Sequence, residues 1–167
     1  MTEVRLSTRD DCIYAAGLFD GEGSAVLTIR KVKNRNDAAR PYRSVVLCAS
    51  IANTYLPVLV WVKERWGGTI SGTVRSRAQD RRPCFIWNTN SKNAGLFLAD
   101  IAPFVRIKRD QVENALAFQA TKRRRGSTPL SDAEWQTATD FLRRQRELNG
   151  RGKKDIGEVS SGAHGNK

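Results

Sequence analysis

The chain has 167 residues, enough for one domain with its own core, and its 40% apolar content is too high for a fully disordered polymer. Its 29 Lys and Arg outnumber 17 Asp and Glu, a formal net charge of +12 that favours a polyanionic partner, most often nucleic acid. The single histidine, His164, lies in a Gly- and Ser-rich tail and the three cysteines (Cys12, Cys48, Cys84) form no CxxC pair, which argues against core histidine chemistry, a zinc ribbon and a disulfide scaffold; free, buried thiols are expected.

Ser7-Thr8-Arg9-Asp10-Asp11 supplies N-cap candidates for a helix running to about Gly21. Residues 24–33 and 42–51 read as two strands of a long hairpin around a polar, basic loop. Alternation in the first strand puts Ala25, Leu27 and Ile29 inward and Val26, Thr28, Arg30 and Val32 outward. A helix over 55–66 carries Leu56, Leu59 and Val60 on one face, closed by Trp66 and interrupted by Lys63; Pro57 suits its first turn and Gly67-Gly68 ends it. Strands over 69–77 and 83–89 follow, with Ile70, Gly72, Val74, Phe85 and Trp87 inward and Thr73, Arg75, Arg77, Cys84, Ile86 and Asn88 outward. Helices over 91–101 and 108–122 come next. A last helix, to about Leu148, opens on a Ser131/Glu134 capping box. Trp61, Trp66, Trp87 and Trp135 are expected in the core.

This order predicts an α+β chain, αββαββα plus further helices, with a four-stranded antiparallel sheet and helices on one face. One domain is expected over 1–149, followed by a basic, glycine-rich tail over 150–167 without periodicity, expected to be disordered. No run of eighteen apolar residues and no apolar leader after Met1 are seen. The expectation is therefore an intracellular protein, prokaryotic cytoplasm first and an organelle second, without a membrane partner.

The chemistry concentrates in Tyr14-Ala15-Ala16-Gly17-Leu18-Phe19-Asp20-Gly21-Glu22-Gly23-Ser24. Gly17 and Gly21 are four apart, hence on one helix face, and a face without side-chain bulk lets another helix approach closely. A core helix with a glycine-rich exit turn describes the same residues. Glu22, however, falls at a helix C-terminus, where the dipole disfavours an anion and a divalent cation would neutralise it.

The stretch Ala15 to Gly23 resembles the nine-residue motif of the LAGLIDADG homing endonucleases in its Gly-Glu-Gly form, and the similarity in element order extends over roughly 8–125. The resemblance implies that two motif helices pack across a twofold axis through Ala16, Gly17, Asp20 and Gly21, with Asp20 structural. It implies that Glu22, with the Gly21 carbonyl, binds Mg2+ or Mn2+ and no small-molecule cofactor. One motif per chain then implies a homodimer that cuts both strands of a long, pseudo-palindromic double-stranded DNA site, leaving short 3′ overhangs. Pro103-Phe104-Val105-Arg106-Ile107-Lys108 resembles the family segment that carries a catalytic lysine, so Lys108 takes that role; a solvated helix-start lysine is the alternative. The family often places glutamine after the second strand. Here Ala52 falls near that position, with Ser50 and Asn53 as candidate replacements.

In the family the sheet reads DNA. Thr28, Arg30, Arg43, Arg75, Arg77 and Asn88 form the outward set expected to meet base edges. Lys31, Lys33, Arg35, Arg40, Arg81 and Arg82 are placed for phosphates. An RNA maturase and a non-cleaving DNA-binding regulator on the same scaffold are the competing readings, and the host is expected to be an intron or a free-standing mobile element.

Overall fold

The computed structural model describes residues 7–32, 42–73, 83–122 and 130–161, with side chains described as far as residue 150. The first helix, α1 (Arg9–Glu22), starts on a capping box: the Thr8 hydroxyl accepts from the Asp11 N–H at 3.2 Å, and the Asp11 carboxylate accepts from the Thr8 N–H at 3.0 Å. The same carboxylate pairs with Arg65 at 3.0 Å. One side of α1 buries Cys12, Ala15, Ala16 and Phe19.

Strands β1 (Gly23–Val32) and β2 (Tyr42–Asn53) form the expected hairpin, with Ala25 opposite Ala49 and Leu27 opposite Leu47. Helix α2 (Leu56–Trp66) buries Leu59, Val62 and Trp66, not the expected Leu56 and Val60, which are 38% and 39% exposed. Residues 59, 62 and 66 define one line down the helix, and Lys63 stands off it on the exposed side. Gly67 and Gly68 then turn the chain at φ +68° and +89°, conformations glycine adopts without strain. Strands β3 (Thr69–Thr73) and β4 (Cys84–Asn90) complete an antiparallel sheet of order β1-β2-β4-β3.

Helices α3 (Ser91–Ile101) and α4 (Arg109–Ala120) join α1 and α2 over one face of that sheet. Phe97 is the hub, with its ring 5.8 Å from Phe19, 5.3 Å from Trp66 and 4.9 Å from Trp87, all edge-on. Trp66 and Trp87 are buried, and Trp61 and Trp135 pack against the core. Helix α5 (Asp132–Ser161) opens on the Ser131/Glu134 box and protects the sheet edge. Buried Gln145 and exposed Asn149 both donate to the Ala25 carbonyl on edge strand β1, at 2.8 and 3.1 Å, and Asn114 donates to Gln145 at 2.7 Å. The backbone stays helical to Ser161, past the expected end near Leu148. Gly150 and Gly152 each cost a helix about 1 kcal/mol relative to alanine without forbidding it.

Among the described residues, no helix buries the side chains of the opposite face, which are half-buried or exposed. None of the three cysteines is in a disulfide, and only Cys12 is buried. Cys48 and Cys84 fall on the open face, so the expectation of buried thiols fails for them by strand parity. No helix among the described residues is long and apolar enough to cross a membrane.

Candidate functional site

The last turn of α1 holds two anions, Asp20 and Glu22, and no cation of its own, against a helix dipole that is negative at that end. Compensation comes from the segment between α3 and α4. Asp20 accepts from the backbone N–H of Arg106 at 2.8 Å and of Lys108 at 3.0 Å, which fastens that segment to the motif helix. The Lys108 ammonium in turn donates to the carbonyls of Phe19 at 3.0 Å and Gly23 at 2.6 Å, so a cation caps the helix end. Burial pulls the Lys108 pKa below its ordinary value, while Asp20 and Glu22 pull it back up. Lys108 is therefore a half-buried ammonium held by two carbonyls, within electrostatic reach of Asp20 and Glu22. Gly23 makes the exit possible: a Cβ there would overlap the Phe19 ring and carbonyl.

Glu22 itself is exposed, and no hydrogen bond or ion pair engages it among the described residues. Its carboxylate and the last-turn carbonyls, Gly21 included, are hard oxygen donors of the type magnesium accepts. Among the described residues no three His, Cys, Asp or Glu side chains gather into a cation site within one chain. A single copy thus offers part of an oxygen shell that fits such an ion.

The exposed face of α1 differs from the expected interface at one position. Ala16 is fully buried against the protein's own core, because it shares the line of Cys12 and Phe19. The exposed line is instead Asp10, Ile13, Tyr14, Gly17 and Gly21, with Asp20 half-buried beside it. A Cβ at Gly17 or Gly21 would meet nothing within 4 Å. Nothing among the described residues requires glycine at either position.

On the open sheet face, Ser24, Ser50, Asn88 and Thr69 lie in register across β1, β2, β4 and β3, a polar row that starts two residues after Glu22. Ser50 is thus the candidate that faces the site side of the sheet. Asn53 is committed elsewhere, accepting from the Tyr55 N–H at 2.8 Å in the turn before α2. Ala52 faces the open side opposite Ile86. Thr28 and exposed Arg30 also lie there, and the Arg30 guanidinium reaches the Cys48 sulfur at 3.7 Å. Arg43 does not belong to that set: it pairs with Lys31 and shares the parity of buried Val45 and Leu47. It is exposed because the helix layer stops short of the hairpin end, where Ile29 is already 45% exposed. Lys33, Arg35, Arg40, Arg75, Arg77, Arg81 and Arg82 lie outside the described residues.

No protein-family model and no curated protein sequence matches the chain. Solved structures do match in fold. The homing endonuclease I-CvuI in complex with its target and calcium superposes with a TM-score of 0.60 at 15% identity, over 84% of this chain and 82% of that one. A magnesium complex of I-CvuI with uncleaved DNA gives 0.62 at 17% identity, with the same coverage. The homing endonuclease I-TnaI gives 0.54 at 13% identity, over 90% of this chain and 99% of that one. The LAGLIDADG homing endonuclease I-SmaMI, bound to cleaved DNA, gives 0.54 at 13% identity, and the match spans 43% of its length. The element order, the sheet topology and these superpositions together establish that the chain has the LAGLIDADG homing endonuclease fold.

Proposed function

We propose that the protein is a site-specific endodeoxyribonuclease, a homodimer that makes double-strand breaks in a long, near-palindromic DNA site. The observation that carries the reading is the end of α1. There an unengaged Glu22 stands beside a fixed cation, Lys108, at the tip of a helix whose exposed face is glycine at positions 17 and 21. Two such helices side by side bring two Glu22 carboxylates and two Lys108 ammonium groups to one place, which one chain alone does not supply.

Glu22 and the Gly21 carbonyl would hold a magnesium or manganese ion, which when bound supplies an activated water and neutralises charge on the phosphate. The chain's own groups do the rest. Two of the three N–H donors of Lys108 are taken by the Phe19 and Gly23 carbonyls, leaving the third for a phosphate oxygen that gains charge during cleavage. Asp20 acts as a positioning residue, because it fixes the backbone from which Lys108 projects. Thr28, Arg30, Ser50 and Asn88 face the DNA from the open sheet, arginine and asparagine offering bidentate contacts to guanine and adenine edges. Lys31 and Arg43, paired at the hairpin end, suit phosphates. The net charge of +12, doubled in a dimer, draws DNA in.

The test is selection of cleaved sites from a randomised, near-palindromic duplex library with magnesium. The reading expects double-strand breaks with short 3′ overhangs at a near-palindromic site, absent when the ion is chelated. Tight sequence-specific binding without cleavage would replace it with a DNA-binding regulator, and preference for folded RNA would replace it with a maturase.

A further inference from the structure

Helix α5 meets the start of β1 through one buried amide. Gln145 is 1% exposed, and its side chain is bonded at both ends. Its Nε2 donates to the Ala25 carbonyl at 2.8 Å, and its Oε1 accepts from Asn114 Nδ2 at 2.7 Å. Asn114 also donates to the Phe141 carbonyl at 3.2 Å, and Gln111, one turn earlier on α4, donates to the Leu148 carbonyl at 3.3 Å. Asn149 is a second donor to Ala25, at 3.1 Å. An amide taken out of water costs stability unless its ends are paired, and an aliphatic side chain would fill the same space without that cost. What the glutamine adds over an aliphatic residue is direction.

Gly23 and Ala25 are two apart on edge strand β1, so their carbonyls point the same way, off the free edge of the sheet. The Gly23 carbonyl accepts from the Lys108 ammonium at 2.6 Å and the Ala25 carbonyl from Gln145, on neighbouring rungs about 7 Å apart. Lys108 is the N-cap of α4, and Asn114 lies on the same helix. The bonds therefore close a ring that runs from Gly23 to Lys108, along α4 to Asn114, across to Gln145 and back to β1 at Ala25. Glu22 immediately precedes that ring on the chain. Apolar contact is non-directional, so α4 and α5 could slide along β1 at little cost, whereas a hydrogen bond to one carbonyl fails within about 1 Å.

We infer that Gln145 is a positioning residue for the cleavage site: by locking α4 and β1 in one register, it sets where the Lys108 ammonium stands relative to Glu22. The inference rests on the nuclease reading above and assigns part of the site's support to α5, a helix outside the αββαββα unit. Gln145 acts only through Ala25 and Asn114.

Gln145→Met tests it, because methionine keeps the length and removes both polar ends. The fold is expected to survive, since Ala25 keeps Asn149 and Asn114 keeps the Phe141 carbonyl. Leu142→Ala is the control, as it loosens the same helix at a buried position without touching the ring. With magnesium and saturating protein, the single-turnover rate on a duplex the wild type cuts is expected to fall at least about tenfold in Gln145→Met, with Kd for DNA unchanged, and to stay at the wild-type level in Leu142→Ala. Without metal or DNA, heteronuclear NMR of the Lys108 ammonium is expected to show faster hydrogen exchange with water in Gln145→Met only. If circular dichroism finds Gln145→Met unfolded, Asn114→Ala breaks the same ring at a half-buried position that water can enter, and the same two changes are expected of it. A wild-type rate or wild-type exchange in the folded ring variant, or equal slowing in Leu142→Ala, overturns the inference and leaves the nuclease reading standing. A wild-type protein that binds DNA and cuts none removes that reading instead, and the exchange measurement then still decides whether Gln145 fixes Lys108.

Discussion

Asp20 and Glu22 both face the negative end of the α1 dipole, and the chain treats them differently. Asp20 is neutralised by backbone donors of Arg106 and Lys108, while Glu22 is left open to solvent. Glu22→Gln is therefore expected to keep stability and DNA affinity and to abolish cleavage, compared by mobility shift and by strand scission on one duplex; loss of binding along with cleavage would count against the assigned role. Asp20→Asn weakens two charge-assisted bonds and is expected to lower stability by about 1–3 kcal/mol in urea unfolding. It should also slow cleavage of bound DNA without altering affinity. A variant as stable and as fast as the wild type would show that the clamp does not matter. At this scale the motif that ends on Glu22 and the segment that carries Lys108 could be picked out, since each is a short stretch of recognisable form, and the structure brings the two segments together. The Asp20 clamp was not, because its donors lie 86 and 88 residues away and no local pattern encodes them. Ser50 could be separated from Asn53 only once strand parity and the Asn53 turn were visible.

The elements follow local chemistry closely where caps and alternation are strong. The Ser131/Glu134 capping box forms as spelled, Thr8 is the N-cap among the candidates at 7–11, and the Gly67-Gly68 stop falls where expected. The errors share one cause: periodicity tells which residues share a face, not which face is covered. Val62 displaced Leu56 and Val60 from the core of α2, Ala16 turned inward on α1, and Arg43 fell on the helix-side parity beyond the reach of the helices. The cap of α1 gives a pH prediction. The Thr8 N–H bond to Asp11, with Arg65 beside it, holds the Asp11 carboxyl below its ordinary 3.8. A lowered carboxyl pKa stabilises the fold above the unfolded value, and that stabilisation is lost as pH falls below 3.8 through the folded value. Urea midpoints should therefore drop on acidification below that point, and Asp11→Asn should flatten the drop; an equal pH dependence in both proteins would contradict it. At Gly17 the protomer has room for a Cβ, so Gly17→Ala should add about 1 kcal/mol to the stability of an exposed helix. Gly17→Leu should leave the protomer folded and abolish the dimer by sedimentation. Persistent dimerisation of the Gly17→Leu variant would place the interface elsewhere.

For the whole molecule, the sheet has one face covered by helices and one face open, and α1 ends at the side of the sheet where the polar row of Ser24, Ser50, Asn88 and Thr69 begins. Under the proposed function, that arrangement would make one chain half of a site, with one Glu22, one Lys108 and one reading surface. The class of fold was legible from element order and from one nine-residue motif, since both are local. The pairing of copies is a proposal, because a glycine face allows a close approach without saying what approaches. The most direct measurement of the central claim is the mass of the protein bound to the duplex it selects and cuts. Two chains per duplex, centred on a near-palindromic site, is the predicted result. One chain per cut duplex would contradict the account, since a single Glu22 would then be serving both strands.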